Sequence, residues 1–102
     1  MKVIAKHRGE GKTSELMHLA AENNGQLLVM NKHALRVKAN YYGLEDLSII
    51  DWNDILYGEY DKEKPLYIDD AEYVFSTLLE NDFELKLAGL SVDLGEEWQL
   101  NN

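Results

Sequence analysis

The chain has 102 residues, 45% of them hydrophobic and 10% aromatic, which is enough for one small globular domain but not for two. It contains no cysteine, and this excludes a disulfide framework and a thiolate metal site. Its formal net charge of −9 argues against tight non-specific binding to nucleic acid, which requires clustered cations.

A glycine-rich segment separates the first predicted strand, at residues 2–5, from the first predicted helix, at residues 12–22. A strand, a glycine-rich turn and a helix that opens with Gly-Lys-Thr are typical of a phosphate-binding loop. Glycines let backbone N–H groups converge on a phosphate, and the helix start adds roughly half a positive charge. Lys6 stands where the full pattern has its first glycine, and an ordinary glycine turn before a helix is the alternative interpretation. The predicted nucleotide-binding residues are Arg8, Gly9, Glu10, Gly11, Lys12, Thr13 and Ser14.

Strands and helices alternate along the rest of the chain. The apolar patterns predict strands at residues 26–30, 47–50, 66–68 and 84–90, and helices at residues 34–42, 52–56 and 73–81. Asp51 is expected to cap the helix at residues 52–56, and the tail from residue 95 is expected to be a short extra strand or an ordered flap. This alternation predicts an α/β fold, with a three-layer arrangement of a four- to five-stranded parallel sheet and helices on both faces.

A second motif follows the predicted strand at residues 66–68, which ends in two carboxylates, Asp69 and Asp70. This pattern is typical of a Walker B element, and the carboxyl ends of parallel strands meet in one crevice. We therefore expect Asp69 to lie near Thr13 and to bind Mg²⁺ with it. Asp70 or Glu72 would position or deprotonate an attacking water, but Asp70 as a plain helix N-cap is an equal alternative. The candidate catalytic residues are Lys12, Asp70 and Glu72.

Residues 8–16 and 66–72 together resemble short phage and prophage P-loop NTPases, and the resemblance extends over nearly the whole chain. The order of motifs is similar to that of the RecA-like first motor domain of helicases and terminases and, more weakly, to that of thymidine kinase. The resemblance implies binding of ATP or another nucleoside triphosphate, a Mg²⁺ cofactor and slow hydrolysis, in phage DNA metabolism or packaging. The missing zinc cysteines and second motor domain argue against thymidine kinase and helicase activities.

The sequence also leaves partners and alternatives open. Only Arg8 and Arg36 could supply an arginine that stabilises the transition state, and Arg36 is expected on a helix surface. Fast hydrolysis would therefore need an arginine from a homo-oligomer neighbour or a protein partner. Tyr41, Tyr42 and Trp52 either line a base pocket, stack on single-stranded nucleic acid or pack between helices. No apolar run approaches a membrane span, and the N-terminus is too short for a signal peptide, so we expect a cytoplasmic protein, in the host cytoplasm if phage-encoded. A non-catalytic nucleotide- or anion-binding module that acts through a protein partner, and a small phosphotransferase, are the alternative functions.

Overall fold

The computed structural model describes residues 4–6, 11–91 and 99–101. Within these ranges the chain alternates between short parallel strands and helices. In chain order the elements are β1 (Ile4–Lys6), α1 (Lys12–Glu22), β2 (Gln26–Leu28), α2 (Lys32–Tyr41), β3 (Ser48–Ile50), α3 (Trp52–Leu56), β4 (Leu66–Ile68), α4 (Ala71–Phe83) and β5 (Gln99–Asn101).

The described strands form two parallel sheets. The first has three strands in the order β3-β2-β4, and Leu27 at its centre lies opposite Ile49 on one side and Tyr67 on the other. The second pairs β1 with β5. Helix α1 packs against β1 of one sheet and against β2 and β4 of the other. The predicted α/β class is therefore confirmed, with a parallel sheet of three strands as its centre.

Alternate side chains along β2, β3 and β4 point to opposite faces of the three-stranded sheet, as the two-residue period of a strand requires. Each face has its own apolar core, so helices cover both sides. One core joins α1 and α2 to the sheet and is built from Met17, Ala20, Leu27, Val29, Ala39, Leu47 and Ile49, with Tyr67 packed against it. The other joins α3 and α4 to the opposite face and is built from Leu28, Ile50 and Val74, with Ile55 and Ile68 packed against it.

The prediction of a strand at residues 84–90 is wrong. Helix α4 runs two residues further than predicted, and Glu84 ends it in a left-handed conformation with φ 55°. The backbone N–H of Leu85 then donates to the Leu79 carbonyl oxygen at 3.0 Å, which closes the helix end. Residues 85–91 have no regular secondary structure, and Leu85 and Leu90 are more than half exposed. Apolar alternation favours a strand only where a neighbouring strand is available for pairing.

The predicted cap of α3 is confirmed. The Asp51 carboxylate accepts a hydrogen bond from the Asp54 backbone N–H at 3.0 Å, and Asp54 accepts one from the Asp51 N–H at 2.9 Å, which completes a capping box. Lys32 Nζ also donates to Asp54 at 2.9 Å and lowers the pKa of that carboxyl. This ion pair fixes the start of α2 beside the start of α3, at the carboxyl ends of β2 and β3.

Candidate functional site

Helix α1 begins after a glycine whose backbone has a left-handed conformation that other residues rarely adopt. Gly11 is the N-cap, with φ 79°, and it provides no side-chain hydrogen bond to the first turn. The first N–H groups of any helix lack partners within the helix, and Ser, Thr, Asp or Asn normally satisfies one of them from the N-cap. The start of α1 therefore presents N–H donors together with the positive end of an 11-residue helix, which is the arrangement that binds anions.

The structure brings the two sequence motifs into direct contact. Thr13, in the first turn of α1, donates its hydroxyl proton to both carboxylate oxygens of Asp69, at 3.0 and 3.2 Å. Asp69 follows β4 directly, and its backbone N–H donates to the Leu28 carbonyl oxygen of the neighbouring strand at 3.0 Å. Thr13 and Asp69 are 56 residues apart in the sequence, but they meet in space because α1 packs against β4.

Burial and neighbouring charges set the pKa of this carboxylate. Burial raises the pKa of Asp69 above its ordinary value, and the neighbouring charge of Asp70 acts in the same direction. The hydrogen bond from Thr13 and the positive charges of Lys12 and Lys38 act against that rise. The sequence predicted Lys12 at the site, but nothing in it indicated that the charge of Lys38 on α2 would also act on Asp69.

Asp70 occupies the N-cap position of α4, but it is not the plain cap that the sequence offered as an alternative. Its backbone is left-handed, with φ 55° and ψ 57°, and its side chain makes no capping hydrogen bond. Left-handed conformations are uncommon for residues other than glycine and are enriched at functional sites. Glu72 is exposed in the first turn of α4. Both carboxylates thus follow Asp69 closely, and the catalytic role predicted for either stays a prediction.

An aromatic cluster adjoins the first turn of α1. Ser14 Oγ donates to Tyr42 Oη at 3.2 Å, and the His18 ring meets the Tyr42 ring edge-on with centroids 5.4 Å apart. Tyr41 meets Tyr42 in the same manner at 5.5 Å. We call Tyr41, Tyr42 and His18 the aromatic cluster. Tyr42 joins the end of α2 to α1, as the helix-packing alternative predicts, whereas Tyr41 is 85% exposed.

Arg36 lies on helix α2, as predicted, but its guanidinium is bound to the following turn. The residue is half-buried, and its guanidinium donates to the carbonyl oxygens of Glu45, at 2.9 Å, and of Leu47. These bonds hold the turn between α2 and β3. They were unpredictable from sequence, because they depend on how the turn folds back on α2. Arg8, Gly9 and Glu10, the other predicted residues of the loop, lie outside the described residues.

Two clefts open at the carboxyl ends of β2 and β3. The larger, about 640 Å³, is lined by basic and polar side chains that include Lys32, His33 and Arg36. The smaller, about 340 Å³, lies between the start of α3 and α4, and Trp52 forms part of its wall. The buried Trp52 indole nitrogen has no hydrogen-bond partner. Neither cleft includes Thr13 or Asp69, so both lie beside the site and not within it.

No protein-family model, curated protein or solved structure matches this chain. Across residues 4–6, 11–91 and 99–101, no group of three or more histidines and carboxylates is placed to hold a metal ion, and no helix in this part of the chain is long and apolar enough to cross a membrane.

Proposed function

We propose that this chain binds a magnesium nucleoside triphosphate, with ATP as the expected ligand, and hydrolyses it slowly. The observation that carries the proposal is the Thr13–Asp69 contact, because it joins a candidate phosphate-binding helix start to a carboxylate at the end of a neighbouring strand. The phosphates would lie over Gly11 and the first turn of α1, together with the preceding loop residues Arg8, Gly9 and Glu10. Lys12 would neutralise the phosphate charge.

The residues at the site fit a magnesium ion. Thr13 offers a hydroxyl oxygen and Asp69 a carboxylate, and both are hard oxygen ligands of the kind that Mg²⁺ takes. Mg²⁺ usually keeps several waters and binds through one or two carboxylates plus substrate phosphates, so a set of three protein ligands is not required. When bound, the ion would supply charge neutralisation at the phosphates. Thr13 and Asp69 would hold it, and Asp70 or Glu72 would orient the attacking water.

The fold we propose is of the P-loop NTPase type, in which the two described sheets belong to one parallel sheet. Its support is α1, which packs on β1 of the smaller sheet and on β2 and β4 of the larger. A nucleotide-dependent role in phage DNA metabolism or packaging, in the host cytoplasm, follows from the sequence resemblance alone and is part of the same proposal.

The hydrogen bonds of Arg36 favour a second function. Because its guanidinium is held by backbone carbonyl oxygens of the α2–β3 turn, Arg8 is the one remaining arginine in the sequence. A transition-state arginine is worth about 10³–10⁵ in rate where it operates. The alternative is thus a nucleotide- or anion-binding module without catalysis, which acts through a protein partner. A partner or a second copy that donates an arginine would convert this module into a faster hydrolase.

Calorimetric titration with ATP and Mg²⁺ tests the proposal. The wild-type chain should bind, and Lys12→Ala should abolish binding because it removes the lysine that neutralises the phosphates. Lys62→Ala, an exposed lysine in the turn before β4, is the matched control and should bind as the wild type does. Unchanged affinity in Lys12→Ala would refute the phosphate site.

Phosphate release separates the two functions. If the wild-type chain releases phosphate slowly, and Asp70→Ala or Glu72→Ala lowers that rate further, hydrolysis is supported. Binding and a nucleotide-induced rise in melting temperature, with no phosphate released, would support the non-catalytic module instead.

A further inference from the structure

The C-terminal end of α2 lies against the first turn of α1. Lys38 is close enough to Asp69 for its charge to act on that carboxylate. Tyr42, four residues further along α2, hydrogen-bonds to Ser14, the residue that follows Thr13. Tyr42 is the residue that caps α2, so this hydrogen bond joins the end of α2 to the start of α1.

The last residue of α2 carries an aromatic ring that neither apolar core uses. Tyr41 is 85% exposed and contributes to neither apolar core. His18 Nδ1 lies 2.8 Å from the Ser14 carbonyl oxygen, which holds the imidazole against the Tyr42 ring. The rings are therefore fixed in position by hydrogen bonds and edge-on contacts while Tyr41 remains open to solvent.

A ligand that fits both features must carry phosphates and an aromatic ring a short distance apart. A nucleoside triphosphate has this form, since a single ribose separates its base from its phosphates. A long single strand also offers bases and phosphates, but the chain's net charge of −9 opposes a polyanion.

We propose that the open ring of Tyr41, which Tyr42 meets edge-on, forms a stacking platform for the base of a nucleotide whose phosphates lie at the start of α1. The inference rests on the proposed phosphate site and adds to it the side chains that hold the nucleoside. Stacking is tolerant of base identity because every base has a π-face, so the platform should accept adenine and guanine alike.

Calorimetry with two ligands, ATP and inorganic tripolyphosphate, each with Mg²⁺, tests this platform. Tyr41→Ala should weaken ATP binding roughly 5- to 100-fold, the usual range for the loss of one base–aromatic stack. Tyr42→Ala should weaken it by a smaller factor, because it removes the ring that holds Tyr41 and not the ring that stacks. Tripolyphosphate, which has no base, should bind these variants and the wild type alike. Tyr42→Phe keeps the ring and loses only the hydroxyl at Ser14, so it should retain most of the ATP affinity. Tyr57→Ala, at an 80%-exposed tyrosine that ends α3, is the matched control and should change neither titration.

The outcomes separate this inference from the proposed function. If the wild-type chain binds neither ligand, the phosphate site is refuted and the platform with it. If it binds both with equal affinity, or if Tyr41→Ala and Tyr42→Ala bind ATP as the wild type does, the platform is refuted while the phosphate site stands. If these variants keep ATP affinity but lose affinity for a thymidine oligonucleotide, the rings serve a single strand and the inference is overturned. Circular dichroism melting of each variant excludes unfolding as the cause of a loss.

Discussion

A double-mutant cycle at Thr13 and Asp69 would test whether the two sequence motifs meet in solution. Thr13→Val removes the hydroxyl donor and preserves the shape of the side chain, and Asp69→Ala removes the acceptor. The double variant removes both. The energy that depends on the pair is the difference between the double change and the sum of the single changes.

The expected coupling energy follows from the geometry. A hydroxyl that donates to a charged carboxylate contributes about 1.5–3 kcal/mol when the pair is buried. Thr13 and Asp69 are only partly buried, and water can replace part of the bond, so we expect a coupling of about 1 kcal/mol. The contact spans 56 residues and joins α1 to the end of β4, so its loss should lower the free energy of unfolding of the whole domain.

Urea denaturation followed by circular dichroism measures all four corners of the cycle. A change of about 1 kcal/mol in the free energy of unfolding corresponds to about 4–8 °C in melting temperature for a domain of this size. Control variants at Ser14, such as Ser14→Ala with Asp69→Ala, should show additive effects, since Ser14 bonds to Tyr42. A coupling below about 0.3 kcal/mol for Thr13 and Asp69 lies within ordinary additivity and would refute the contact.

The same carboxylate predicts a pH dependence. Burial raises the pKa of Asp69 in the folded chain, so ionising this group destabilises the fold. The stability that the protonated form contributes is present below the unfolded pKa, about 3.9, and is lost as the pH rises through the raised folded pKa. Asp69→Asn, measured without Mg²⁺, should therefore be more stable than the wild type at pH 7, and the gain should shrink toward pH 4. A variant that is less stable than the wild type at pH 7 would contradict this account.

Two further predictions concern the scaffold around the site, and urea denaturation measures both. Asp54→Ala should lower the free energy of unfolding by about 1–2 kcal/mol, because it removes half of the α3 capping box and leaves Lys32 without its carboxylate. Gly25→Ala should lower the free energy of unfolding by about 1–3 kcal/mol, because a Cβ there would lie 2.6 Å from the Tyr67 ring. Gly89→Ala is the control: its Cβ would enter open space, so the free energy of unfolding should not change. An unchanged urea midpoint in Asp54→Ala or Gly25→Ala would show that the cap or the close approach does not exist in solution.

Local signals in the sequence were sufficient for much of the scaffold. The predicted bounds of α1, α3 and β4 agree with the structure, because each is set by a cap or a turn residue next to it, such as Gly11 before α1 and Asp51 before α3. The proximity of Thr13 and Asp69 was also predictable, since the carboxyl ends of parallel strands meet at one edge of a sheet.

The errors arose where tertiary contacts decide the outcome. Residues 84–90 have the composition of a strand, but pairing depends on a neighbouring strand that the sequence cannot place. The bonds of Arg36 to the turn before β3 depend on how α2 is rotated against the sheet. The aromatic cluster has the same origin, because Tyr42 reaches Ser14 only through the packing of α2 beside α1.

The central claim is that the backbone N–H groups at the start of α1 bind phosphate. Amide chemical shifts of a ¹⁵N-labelled chain, followed by nuclear magnetic resonance during titration with ATP and Mg²⁺, test it most directly. We predict that the amide chemical shifts of Gly11, Lys12 and Thr13 change first and most, and that the chemical shifts at these positions do not change in Lys12→Ala. Shifts confined to the clefts beside β2 and β3, with the start of α1 unchanged, would contradict the account.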